Sequence, residues 1–182
     1  NSQMTLEWLD SNNVFIIALD DERKWFRYHR LFSDLLLHHL NSEYADSVPE
    51  LHLRASSWHF ENDDPEAAIN HALHAEKPEQ AARMIEDLTW KVYSPQQARD
   101  VLSWLSRIPP DLASSRSKLR ISRSWALAVS GNLEKAQAVL ENLDRPEIEG
   151  ELAALKSYIA IRQGEISRAI QLANSALELL PP

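Results

Sequence analysis

Gly131-Asn132-Leu133-Glu134-Lys135-Ala136 and, 33 positions later, Gly164-Glu165-Ile166-Ser167-Arg168-Ala169 share one pattern, a glycine followed five residues on by an alanine. The correspondence extends outward in both directions. The same shift lays Leu119 on Leu152, Trp125 on Tyr158, Ala126 on Ile159, Leu133 on Ile166, Val139 on Leu172 and Leu143 on Ala176. Each unit therefore reads as a helix, a glycine turn and a second helix. Glycine stops a helix where the chain must enter the left-handed region. An alanine just beyond it lets the two helices approach closely.

Proline marks the other helix starts. Pro49-Glu50, Pro65-Glu66, Pro78-Glu79, Pro95-Gln96 and Pro146-Glu147 each head an apolar-periodic segment. Proline suits the first helical position because its missing N–H would be unpaired there, and glutamate in that turn complements the helix dipole. Asp64 and Ser94 precede two of these prolines as predicted N-caps. Pro109-Pro110 marks a break and Pro181-Pro182 closes the last helix. The spacing predicts helices over 50–62, 65–75, 78–91, 95–107, 117–130, 133–143, 147–163 and 166–180.

Bulky aromatic, small residue and Gly-x-x-x-x-Ala in this order resemble the tetratricopeptide repeat, here with a period one residue short of that family's 34. Helices over 49–107 share the alternation without its glycines and read as repeat-like. Pairs of this kind stack by burying one face on the next, which implies a curved array with an open inner surface. Trp58, Trp90, Trp104 and Trp125 are candidates for that surface, where aromatics anchor a peptide or an apolar ligand. Packing between helices is the simpler reading of the same four residues.

Composition narrows the function classes. Hydrophobic residues make up 44% and charged residues 25% of the 182, which is ordinary for a globular chain. No stretch approaches the roughly 20 apolar residues of a membrane span. The start, Asn1-Ser2-Gln3-Met4, lacks the features of a signal peptide. With no cysteine, disulfides, thiolate metal sites and cysteine nucleophiles are excluded, and the composition suits a cytoplasmic setting. A net charge of −8 opposes generic nucleic-acid binding. Three glycines are too few for the turns of a sheet-rich fold. Position 1 is not methionine, so the sequence reads as a piece of a longer chain.

Smaller clusters take plain readings. Arg23, Lys24, Arg27 and Arg30 interleave with Trp25, Phe26 and Tyr28, the pattern of a wing gripping phosphates or, more simply, of a hairpin with charges outward. His52 with His59, and His71 with His74, each share a helical side, but neither pair has the partners of a metal set, so exposed or capping histidines are expected. Glu61, Asp63, Asp64 and Glu66 read as a helix-capping cluster. No nucleophile–base set can be assembled, so the chain is expected not to be an enzyme.

Residues 1–40 follow another rhythm. Met4, Leu6, Trp8 and Leu9 predict a short helix ending near Ser11-Asn12-Asn13. Strands follow over Val14–Leu19 and Lys24–Tyr28, joined by a turn at Asp20–Arg23. Leu31, Phe32, Leu35, Leu36 and Leu40 then share a helical face. Helix, hairpin and helix form the tail of a winged-helix domain.

Here Asn13-Val14-Phe15, Leu19-Asp20-Asp21 and Phe26-Arg27-Tyr28-His29-Arg30-Leu31-Phe32-Ser33-Asp34-Leu35-Leu36 resemble MalT-like regulators of the LuxR family, signal-transduction ATPases of the STAND class. The likeness continues through Leu51–Trp58 and Glu66–Leu73. It implies a parent chain with a nucleotide-binding domain, a winged helix, a helical-repeat sensor and a closing DNA-binding helix-turn-helix. Tyr28-His29-Arg30-Leu31 is also similar to the Met-His-Asp-Leu stretch of NB-ARC switch proteins, which implies that His29 senses the nucleotide state in the full-length chain. No Gly-x-x-x-x-Gly-Lys-Ser/Thr loop occurs here, nor a helix-turn-helix reader at the C-terminus.

The sequence thus predicts an all-α fold, a tetratricopeptide-like α-α superhelix preceded by the tail of a winged-helix domain with a small β-hairpin. The expected division is 1–40 winged-helix tail, 41–115 repeat-like pairs and 116–182 two tetratricopeptide-like repeats. The expected function is a ligand-sensing and signal-transduction segment without cofactor or metal of its own, ATP or ADP serving the full-length parent. Expected partners are an inducer, protein or peptide in the groove and the parent's nucleotide-binding domain. DNA would be reached only through a helix-turn-helix outside this sequence, and no membrane is expected. A free-standing tetratricopeptide-like adaptor is the alternative.

Overall fold

The computed structural model describes residues 2–12, 14–141, 143 and 146–180. Asn13 in the predicted first helix end, Asn142 in the predicted helix 133–143, and Pro181-Pro182 as the closing signal lie outside them. The chain divides into two compact units, 1–51 and 52–182. Among the described residues the fold is all-α apart from one small antiparallel hairpin.

The first unit begins with α1 (Ser2–Ser11), then β1 (Ile16–Ala18) and β2 (Phe26–Tyr28), with Ile16 opposite Tyr28, Ile17 opposite Arg27 and Ala18 opposite Phe26. Both strands are shorter than predicted. The Asp20 carboxylate takes the amides of Lys24 and Trp25 at 3.0 and 2.9 Å, and Phe15 sits at φ 58°, so each end of the ladder is bent away. Next comes α2 (Arg30–Glu43), with Phe32 stacked on Phe15 at 4.6 Å. Its predicted apolar face is only partly covered. Phe32, Leu36 and Leu40 are half-buried, whereas Leu31 and Leu35 are exposed.

A 3-10 turn, Ala45–Ser47, leads into α3 (Val48–Glu61), which continues into the second unit. There α4 (Pro65–His74), α5 (Pro78–Leu88), α6 (Pro95–Ser106), α7 (Pro110–Ser115), α8 (Ser117–Val129), α9 (Leu133–Leu140), α10 (Glu149–Gln163) and α11 (Ile166–Leu179) follow. Asp64 caps α4, its side chain accepting from the Ala67 amide. Ser94 forms a full capping box with Gln97 on α6. The helix predicted over 78–91 ends earlier and that predicted over 147–163 starts later, as Thr89–Lys91 and Pro146–Ile148 are 3-10 turns. Pro109-Pro110 does more than break the chain: Pro110 opens α7, a six-residue helix not predicted. A proline at the first helical position starts a short helix as readily as a long one.

Three of the pairs are closed by the same contact. Ser124 Oγ donates to the Ala136 carbonyl at 2.8 Å, and Ser157 Oγ to the Ala169 carbonyl at 2.9 Å, each twelve residues on. Ser56 Oγ does the same to Ala68 at 2.8 Å, again over twelve residues. All six residues are buried. Seven residues after each serine the backbone turns left-handed, at Gly131 (φ 84°), Gly164 (φ 81°) and Asp63 (φ 56°). The next amide then donates back across the turn, Asn132 to Leu127, Glu165 to Ala160 and Asp64 to His59, each at 2.9 Å. The pair α3–α4 is therefore built like the later two, although the sequence reads it as merely repeat-like. Aspartate holds the position because it tolerates the left-handed region better than most residues.

Two apolar clusters meet at α8. Leu119, Ala126 and Val129 join Ile69, Ile85, Val101 and Leu105 in the first. Ile121 and Ala128 join Leu140, Leu152, Leu155 and Ile159 in the second.

Ser124→Ala should lower unfolding free energy by about 1 kcal/mol, the net value of one buried neutral hydrogen bond. At Gly131 an added Cβ would meet nothing within 4 Å, so Gly131→Ala tests conformation alone. It should cost about 1 kcal/mol, whereas Glu76→Gly, at a non-glycine φ of 55°, should be neutral to stabilising. Denaturant melts of the 182-residue chain read all three.

Candidate functional site

The repeat stacking carries aromatic rings from pair to pair. Trp90 lies in the 3-10 turn after α5, Trp125 on α8 and Tyr158 on α10. Their ring centroids are 5.1 Å apart from Trp90 to Trp125, and 4.7 Å from Trp125 to Tyr158. The Arg162 guanidinium lies 5.8 Å from the Tyr158 ring centre and donates to Tyr158 Oη, one helical turn before it, at 3.0 Å. Trp125 Nε1–H donates to the Val92 carbonyl at 2.9 Å, which fixes the central ring. Trp125 and Tyr158 both pack on the two apolar clusters, so they join neighbouring pairs as well as line a surface. Trp90, 37% exposed, is the open end of the row.

Beside Trp90 is a cavity of about 250 Å³ whose lining includes Glu86, Thr89, Lys118 and Glu151. The nearly buried Glu86 carboxylate binds Arg116 through Nε at 2.9 Å and through a second guanidinium nitrogen. That hydrogen bond, ahead of the opposing effect of burial, holds the guanidinium above its ordinary range. Thr89 and Ser122 share a buried hydroxyl–hydroxyl bond, and Lys118 stands 3.9 Å from Glu151. Ligand pockets usually run from roughly 300 to 1,000 Å³. This one suits a single anchoring group better than an enclosed small molecule.

The four predicted tryptophans are not one site. Trp90 and Trp125 meet with their rings tilted by 60°, whereas Trp104 packs half-buried on the first apolar cluster and Trp58 stands edge-on to His59 at 5.0 Å. Tyr158 was not among the candidates, yet the 33-residue shift that lays it on Trp125 is the signal that marks it. His29 is the N-cap residue of α2. Its amide donates to the Phe15 carbonyl at 2.6 Å, and its exposed side chain makes no capping bond. His52, His59, His71 and His74, read from sequence as two unrelated pairs, form a single cluster, and only His74 is exposed.

Trp125→Ala should lower stability by about 3–5 kcal/mol, the usual cost of removing a packed aromatic. Trp125→Phe, which keeps a ring but drops the bond to Val92, should lose roughly 1 kcal/mol of hydrogen bonding together with a smaller packing loss. Thermal and denaturant unfolding separate the two variants.

Comparison with known proteins follows the division of the chain. The model of the MalT winged helix domain matches residues 1–48. Over 197 aligned positions the chain is 26% identical to the serine/threonine-protein kinase PknK of Mycobacterium tuberculosis and to that of Mycobacterium bovis. The alignment covers 100% of this chain and 18% of those proteins, so the chain spans under a fifth of their length. No solved structure matches. No helix among the described residues is long and apolar enough to cross a membrane. The hairpin and the helix after it thus lie in a stretch that resembles the MalT winged helix domain, and helix pairs follow it in the chain.

Proposed function

We propose that this chain is the ligand-sensing and signal-transduction segment of an ATP-dependent MalT-like regulator of the LuxR family, with no catalytic activity of its own. The observation that carries this reading is the order of parts. A stretch matching the MalT winged helix domain is followed in sequence by helix pairs with an aromatic row open at Trp90. An inducer, or an anchoring side chain of a protein or peptide, binds at that open end. Binding changes activity by favouring one of two arrangements of the parent chain, because a ligand shifts an equilibrium only by its differential affinity.

His29 is the proposed nucleotide-state sensor of the parent. Backbone bonding fixes its position at the head of α2, and the imidazole extends from the exposed N-cap. It can donate to a phosphate oxygen presented by a neighbouring nucleotide-binding domain.

In the full-length parent, His29→Ala should change the ratio of ADP to ATP affinity by at least about 5-fold, the lower end of ordinary coupling. Stability of the 182-residue chain should stay within roughly 0.5 kcal/mol. An unchanged nucleotide preference would end the sensor role, and independent binding of inducer and nucleotide would end the coupling mechanism.

A further inference from the structure

Four imidazoles form a row across α3 and α4, alternating between the helices. In order they are His74 of α4, His52 of α3, His71 of α4 and His59 of α3, with centroids 5.3, 5.0 and 5.4 Å apart. The outer rings have their protons assigned by their partners. His74 Nδ1 meets the Asn70 carbonyl at 2.8 Å, and His59 Nδ1 meets the Asp64 carboxylate at 3.0 Å. Carbonyl and carboxylate only accept, so both outer Nδ1 atoms carry hydrogen. In the centre, His52 Nδ1 and His71 Nδ1 are 2.8 Å apart. Two ring nitrogens at that distance share one proton, one donating and the other presenting its lone pair.

The position of this bond in the repeat is informative. His52 is four residues before the stapling Ser56, and His71 is three after Ala68. The same offsets in the next stapled pair give Arg120 and Val139. There the Arg120 guanidinium donates to the Val139 carbonyl at 2.7 Å. Both pairs are thus tied between their helices at the same place. The guanidinium keeps its charge at every relevant pH, whereas imidazole changes charge near neutrality.

We propose that the His52–His71 bond is a proton-operated latch that holds α3 to α4 at neutral pH and releases on mild acidification. A first proton is taken on Nε2 of the donating ring, and the central bond survives. A second must occupy the lone pair of the accepting Nδ1, which leaves two N–H groups facing each other and no bond. Every group acting on the latch can be named. His74 flanks His52 and His59 flanks His71, each adding positive charge when protonated. Asp64 opposes them while also capping α4 through Ala67. Arg107, the C-cap of α6, bonds the Asn70 side chain at 2.7 Å, one turn before His74 on α4.

Burial, followed by the nearby His74, holds His52 below the ordinary imidazole range. Burial, then His52, His59 and His74, does the same to His71 against the pull of Asp64. The unfolded chain therefore binds more protons than the folded one below about pH 6.5, so stability is full above that pH and is lost as pH falls through the lowered values. Among the described residues, no group of three or more His, Cys, Asp or Glu is placed to hold a metal ion.

Proton NMR titration of the histidine rings from pH 8 to 5, with thermal melts across the same range, tests the latch in the 182-residue chain. His52 and His71 should titrate below the ordinary value of about 6.5. His74→Gln, an exposed substitution that leaves the fold intact, should raise the His52 midpoint. The melting temperature should fall by roughly 2–4 °C or more between pH 7.5 and 5.5. His52→Arg combined with His71→Val, which copies the Arg120–Val139 pair, should remove most of that fall. Central rings that titrate at or above the ordinary value and ignore His74→Gln would overturn the proposal. So would an acid-induced fall that this double variant leaves unchanged.

Discussion

A buried serine hydroxyl bonded to a helix carbonyl sets the geometry on which the rest of this protein depends. Each of Ser56, Ser124 and Ser157 reaches a carbonyl twelve residues on, across a left-handed turn. A buried hydroxyl without a partner costs more than a bonded one gains, so the serine permits few alternative packings. The carbonyl belongs to alanine in all three cases, and a larger side chain there would hold the helices apart. Hydrogen bond, small residue and left-handed turn therefore specify one another.

Because the staple repeats, whatever stands beside it repeats too. One residue after Ser124 and Ser157 come Trp125 and Tyr158, and the stacking sets these rings 4.7 Å apart. Trp90 extends the row although its own pair lacks a serine staple, and the bidentate Glu86–Arg116 contact ties α5 to the start of α8. The first stapled pair carries a different lining, with imidazoles at positions that in the second hold arginine and valine. One backbone plan thus presents an aromatic row in one place and a titrating row in another, which is how repeat arrays diversify their surfaces without altering their core.

The winged-helix match and the helix pairs carry complementary parts of the functional reading. Residues 1–48 match the MalT winged helix domain, and the helix pairs after them carry the aromatic row. The first unit also leaves apolar side chains of α2, Leu31 and Leu35, exposed.

Helix starts were legible in the sequence because proline and capping residues act locally: Pro65, Pro78 and Pro95 each open a helix, and Asp64 and Ser94 cap as read. The later repeats were legible through Gly131 and Gly164, since glycine advertises a left-handed turn. The first stapled pair was harder to read because Asp63 takes the same conformation without advertising it. Tyr158 was visible in the repeat register, but its contact with the Trp125 ring depends on how two pairs pack. The histidine row lay beyond local reading altogether. His52 and His71 are 19 residues apart, and spacing along one helix says nothing about which ring on the next will meet it. Periodicity and caps belong to the chain and fix where helices begin and which face is apolar. Contacts between side chains on different helices arise only after the staples have set the distance and rotation of each pair.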